Sequence, residues 1–140
     1  MLLGALILLG KALISTGAAK LIGETIITIA GASLPLLILG ILLLVTMTLS
    51  DIMNNVATAV IMAPIAVNIA QLMDLSVDPF LMTIAIGASC SFLTPISHQN
   101  NTLVMGPGGY KFFDYLWLGI PIELMVLVTA LPSLYYFWLV

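Results

Sequence analysis

Charge is scarce in this chain. Of 140 residues only three are Lys or Arg, six are Asp or Glu and one is His. A net charge of −3 resting on so few groups leaves no basic footprint for nucleic acid, so no nucleic-acid partner is expected. Cysteine is nearly absent as well: Cys90 stands alone, which excludes an internal disulfide and makes it a small packing residue of an apolar segment. The eight methionines are scattered rather than clustered, so they read as core filler and not as copper ligands. Metal-ligand spacings, a nucleophile elbow and a phosphate-binding glycine loop are missing, and one histidine with distant carboxylates makes no recognisable catalytic set. The chain is not expected to be an enzyme.

What is there in quantity is apolar. Hydrophobic residues make up 62% and charged residues 6% of the chain, with a mean hydropathy of +1.27, which excludes an ordinary soluble domain. No charged side chain lies between Glu24 and Asp51 or between Asp51 and Asp74, and from Pro79 to Tyr110 the only ionisable groups are Cys90, His98 and Tyr110. Runs of that length can cross about 30 Å of hydrocarbon as helix, at roughly 20 residues per span. The apolar character continues to the last residue, unlike a cleavable secretory signal, and the chain reads as an all-α, polytopic membrane protein in contact with the lipid bilayer.

Punctuation divides it into four parts of a single membrane domain. Residues 1–33 read as a short span followed by an interfacial helix, with Lys11 and Lys20 and a turn over 31–35 before a helix that starts near Pro35. Residues 35–71 form two apolar limbs of 16 residues each, Pro35 to Ser50 and Val56 to Gln71, joined by a polar tip. Each limb is roughly 24 Å long, short of a full crossing. A re-entrant hairpin with its tip buried in protein fits these lengths; two ordinary spans with a tight external loop are the alternative. Residues 80–109 read as a helix to about Leu93, broken at Thr94-Pro95 and resuming near Thr102, with small residues Ala85, Gly87, Ala88 and Ser89 for close packing and a turn at 106–109. Residues 115–140 are a final span with an aromatic belt of Tyr135, Tyr136 and Trp138. Glu123 is expected near the end of that span, where it reaches water.

Two amide-rich clusters interrupt this grease: Ser50-Asp51-Ile52-Met53-Asn54-Asn55 and Thr94-Pro95-Ile96-Ser97-His98-Gln99-Asn100-Asn101. Polar groups at membrane depth are costly and usually functional. Carbonyls freed where a helix unwinds, with Asn and Ser oxygens, suit a dehydrated sodium ion. Side-chain amides and the positive ends of helices suit an anion. Neither cluster contains Lys or Arg, so an anion would be held by dipoles, hydrogen bonds and the sodium itself. The plain alternative is that Asn and Ser serve as glue between helices; Asp51 reads either as a helix-terminus carboxylate or as an ion ligand, and His98 either as a hydrogen-bonded neutral ring or as a titrating group.

In these residues the chain resembles the divalent anion:sodium symporters. The run Ser50-Asp51-Ile52-Met53-Asn54-Asn55-Val56-Ala57-Thr58-Ala59 falls where that family carries its second Ser-Asn-Thr signature at a hairpin tip. The run from Ala88 to Asn101 falls where it breaks its penultimate helix, and Met105-Gly106-Pro107-Gly108-Gly109-Tyr110 looks like the bacterial permease branch. The resemblance implies one inverted-repeat half with a re-entrant helical hairpin and a discontinuous transmembrane helix. Only one set of the family's paired elements is found, so the chain is expected to be the C-terminal half of a longer permease or else a half-size form. The implied sodium ligands are Ser50, Met53, Asn55 and Ser97. The implied anion contacts are Asn54, Asn55, Val56, His98 and Gln99, supported by Asp51, Thr94, Pro95, Asn100 and Asn101. Sodium is the only metal implied, as coupling ion and not as cofactor, and the full-length protein is expected to be a multi-pass homodimer of the cell membrane.

Two departures bear on the substrate. The signature reads Asn54-Asn55-Val56, without the two hydroxyls, and the Thr-Pro-Pro-Asn of dicarboxylate carriers reads His98-Gln99-Asn100-Asn101. Both put dicarboxylate transport in doubt, and the run His98-Gln99-Asn100-Asn101 resembles that of sulfate-like permeases, which implies sulfate or a similar oxyanion. A di- or tricarboxylate symporter, a proton-coupled or uncoupled exchanger titrating at His98 or Asp51, and a non-transporting half that needs a partner remain as alternatives.

Overall fold

A computed structural model describes residues 2–30 and 34–138. Among them are seven helices and no strand: α1 (Leu2–Ser15), α2 (Ala18–Ala30), α3 (Pro35–Ile52), α4 (Asn55–Leu72), α5 (Asp78–Ser89), α6 (Gln99–Gly108) and α7 (Phe112–Trp138). Three of these, α3, α4 and α7, are long and apolar enough to cross a membrane. The turn expected at 31–35 lies mostly outside the described residues, as do the final two residues of the expected last span.

The boundaries follow local chemistry. Gly17 separates α1 from α2 at φ +73, a left-handed conformation that glycine adopts without strain. Pro35 opens α3, where its missing N–H costs nothing because the first helical donors have no partner inside the helix. The hairpin turn is tighter than the five polar residues suggest: α3 runs on through Asp51 to Ile52, and only Met53 and Asn54 are extended before α4 begins. Asn54 makes this possible by capping α4, its Oδ1 accepting the Ala57 N–H at 2.8 Å.

The broken helix departs further from expectation. Its first half stops at Ser89, several residues before Thr94-Pro95, and its second half starts at Gln99, before Thr102. Cys90 to His98 is therefore non-helical, and Gln99, Asn100 and Asn101 sit in the first turn of α6. The glycine-rich run 106–109 also differs: Gly106 to Gly108 belong to α6, and only Gly109, at φ +65, makes the turn. The last helix begins at Phe112, so its start includes the aromatic segment expected at an interface.

The core lies between α3, α4, α5 and the inner face of α2. Ile38, Leu39, Leu42, Ile65, Ile69 and Phe80 are fully or almost fully buried in it. Close approach matters here as much as apolarity, because lipid leaves little hydrophobic drive for helix association. Gly87 lets α5 press on α3, and a Cβ there would meet Thr46 Cβ at 2.9 Å. Thr46 and Thr83, both buried, donate to carbonyls one turn back, Leu42 at 2.6 Å and Pro79 at 2.7 Å, so they contribute bulk without an orphan hydroxyl. A second cluster of Leu43, Met47, Cys90 and Ala130 joins α7 to this body.

Candidate functional site

The two polar clusters meet. Ser50, on the last turn of α3 and fully buried, places its hydroxyl 2.8 Å from the Ala88 carbonyl of α5 and 3.2 Å from Asn55 Oδ1 at the start of α4. Three oxygens from three helices thus converge where α3 and α5 both end. Helix C-termini present carbonyls without intrahelical partners, and this is where a hard cation finds oxygen donors.

A second link joins the tip to the break. Asp51 accepts the Leu93 N–H at 3.0 Å on its Oδ1, while the Thr94 hydroxyl donates to the Asp51 carbonyl. The break itself is closed by side chains. Ser97 donates to the Thr94 carbonyl at 3.0 Å and lies 3.4 Å from that of Ser91; Asn101 Nδ2 reaches the same two carbonyls at 3.2 and 3.1 Å. Thr102 donates to the carbonyl of buried Pro95 at 2.6 Å, and Tyr115 of α7 donates to the Asn101 carbonyl at 2.8 Å.

The anion-directed residues cluster at two helix N-termini. Asn54 uses its oxygen as the α4 cap, and its amide N–H groups have no acceptor among the described residues. His98 caps α6, with Nδ1 accepting the Asn100 N–H at 3.2 Å. A neutral ring held that way carries its proton on Nε2, so it presents a donor. Gln99 and Asn100 are exposed beside it. A cleft of about 200 Å³ between α6 and α7 reaches Asn100 and Asn101 together with Val104, Tyr110, Asp114, Tyr115 and Leu118.

Of the residues marked from sequence, then, Ser50 and Asn55 are together with a backbone oxygen at Ala88. Met53 is the half-buried residue of the turn, its N–H bonded to Leu49, and Val56 is half exposed in the first turn of α4. Ser97 stands inside the break, its hydroxyl donated there.

Two residues were missed. Thr58, one turn into α4, is fully buried with an unpartnered hydroxyl; the Val56-Ala57-Thr58 spacing that moves a hydroxyl two places along was its only signal. Glu123 corrects an expectation. It lies near the middle of α7, and its Oε1 is buried and without a hydrogen bond, whereas a position near the helix end would have opened it to water. Gly119, one turn earlier, explains the approach: a Cβ there would sit 2.6 Å from the Phe92 carbonyl, so α7 lies directly on the unwound backbone.

The family model of citrate transporters matches residues 1–140. The chain belongs to the citrate transporter family. It is similar to an uncharacterized transporter, YfbS, of Escherichia coli, at 40% identity over 90% of this chain and 21% of that protein. A probable sodium/sulfate cotransporter of Chlamydomonas reinhardtii shares 30% identity over 85% of the chain and 13% of its own length. A sodium-dependent dicarboxylate transporter of Staphylococcus saprophyticus shares 27% over 96% of the chain and 26% of its own length. The chain therefore spans about a quarter or less of the length of these relatives. They and the family are transporters and not enzymes, and the chain is a membrane protein of that family.

Proposed function

We propose that this chain supplies one half of the sodium and anion site of a secondary transporter that couples sodium entry to uptake of sulfate or a similar oxyanion. The observation that carries the reading is the meeting of Ser50 and the Ala88 carbonyl, at two helix C-termini, with Asn55 at the start of α4. Sodium takes the oxygens, with the Met53 backbone and Ser97 completing its shell, and the anion takes the donors of Asn54, the Val56 backbone, His98 and Gln99. Each ligand offsets the other's charge, so each raises the other's affinity by the same factor. In this reading α3 and α4 are the limbs of a re-entrant hairpin, and the full-length protein is a homodimer in the cell membrane. The sodium/sulfate and dicarboxylate relatives support the substrate class.

The test is uptake of radiolabelled sulfate into proteoliposomes containing this chain with whatever residues flank it in its reading frame. An inward sodium gradient should drive uptake, and unlabelled succinate should not compete. Sodium-driven succinate uptake without sulfate uptake would overturn the substrate; transport of sulfate indifferent to sodium would overturn the coupling.

A further inference from the structure

The cleft of about 200 Å³ between α6 and α7 is lined by two tyrosines that are held in place from outside it. Tyr110 is seated on Gly108, where a Cβ would lie 2.5 Å from the ring, and Tyr115 is tied through its hydroxyl to the Asn101 carbonyl at 2.8 Å. The two rings meet edge to face, with centroids 6.2 Å apart and planes at 70°. Asp114 lines the same cleft. The fixed polar groups here are acceptors. Asp114 uses Oδ2 for the Lys111 N–H at 2.7 Å, and its Oδ1 receives no hydrogen bond among the described residues. Asn101 Nδ2 has two protons and two carbonyl partners, Ser91 and Thr94, which leaves that amide only its oxygen. The Tyr115 proton is given to Asn101, so the phenolic oxygen also only accepts. Asn100 and the Tyr110 hydroxyl can present either a donor or an acceptor. A carboxylate and two neutral oxygens beside aromatic faces repel an anion and suit a cation.

The chain does not supply that cation. Lys111 precedes Asp114 by three residues, yet the ion pair formed among the described residues is that of Lys20 with Glu24, at 3.9 Å. An ammonium and a carboxylate, neither compensated, thus stand together at the start of α7. Phe113 and Trp117 beside them are 70% and 80% exposed, the pattern of aromatic side chains at a membrane interface. From these we infer that the cleft holds the headgroup of a phospholipid that ends in a primary ammonium, with the ammonium on Asp114 between the two rings and the phosphate on Lys111. A primary ammonium brings three N–H donors to these acceptors; a quaternary ammonium brings none, and a glycerol headgroup brings no positive charge. Val104 and Leu118, the apolar part of the lining, are half exposed and lead from the cleft toward the acyl chains. The lipid latches α6, which has no buried residue of its own, onto α7. This inference stands apart from the sodium and anion reading.

The test is native mass spectrometry of the full-length protein in detergent, titrated with phosphatidylethanolamine, phosphatidylcholine or phosphatidylglycerol of the same acyl chains. Phosphatidylethanolamine should bind roughly tenfold more tightly than the other two, on the scale of one hydrogen bond to a charged group. Asp114→Asn keeps an acceptor for the Lys111 N–H and hence the start of α7; it should retain one phosphatidylethanolamine fewer per chain and bind the other two lipids as before. Lys111→Gln should weaken all three lipids alike. Equal affinity for phosphatidylethanolamine and phosphatidylcholine in the unaltered protein, or an undiminished count of phosphatidylethanolamine in Asp114→Asn, overturns the proposal. Free ethanolamine added to the same titration separates a lipid from a soluble amine: the lipid should stay bound, and its displacement would overturn the lipid as occupant.

Discussion

The hairpin tip and the helix break occupy adjoining space but are held in different ways. The tip needs two non-helical residues, because Asn54 caps α4 and Ser50 and Asp51 remain within α3. The break runs from Cys90 to His98, and its carbonyls are gathered by Ser97, Asn101 and Thr102. Buried α3 and α5 surround the tip, while α6, which follows the break, has no buried residue at all. A site of this kind has a stiff side made by helix ends and an adaptable side made by side chains. The stiff side suits a small ion with strict geometry, and the adaptable side suits a larger anion.

The strongest way to break the comparison is Asn55→Ala, which removes the oxygen 3.2 Å from Ser50. Losing one contact to a charged ligand costs about 2 kcal/mol, so the sodium affinity that drives uptake should fall roughly 30-fold. Sodium titrations of uptake check this, and unchanged affinity would remove Asn55 from the ion site. Next comes Gly119→Ala, whose Cβ would overlap the Phe92 carbonyl at 2.6 Å. Overpacking of that sort costs about 1–3 kcal/mol, read as a lower unfolding midpoint in detergent, and the same change at Gly4, which has nothing within 4 Å, should be nearly silent.

Thr94→Val is smaller. It deletes the hydroxyl that donates to the Asp51 carbonyl and should cost about 1 kcal/mol, with faster amide hydrogen exchange in the break and little change in the core. The mildest is His98→Asn, which retains an N-cap but removes the Nε2 donor. Stability should hold while anion affinity falls roughly fivefold, on about 1 kcal/mol for one hydrogen bond; His98→Ala should lose both, and an equal affinity for the anion in all three proteins would exclude a contact at His98.

Much of this was written in local chemistry. Pro35, the polar run around Asn54 and the charge-free limbs announce α3 and α4, and Thr94-Pro95 announces a break. The start of that break at Cys90 was hidden, because Ser89-Cys90-Ser91 contains no proline or glycine and would continue a helix on its own. What ends α5 there is tertiary: Ser50 sits on the Ala88 carbonyl and Asp51 on the Leu93 N–H. The burial of Glu123 is hidden for a related reason. Its neighbours in sequence are uniformly apolar, and only the three-dimensional approach at Gly119 puts it against Asp51. The 106–109 run is the opposite case: glycine and proline there suggest a turn over all four residues, yet α6 continues to Gly108 and only Gly109 turns.

Asp51 joins the two regions through two acceptors pointing at successive residues, its carboxylate at Leu93 and its carbonyl at Thr94. A single bond would be a pivot about which tip and break could swivel. Two bonds from one residue to adjacent points on the other segment remove both the swivel and the slide, as two bolts do for a bracket. In the proposed transporter, a stroke that carries the anion across the membrane would then move the tip and the break together, as one lever.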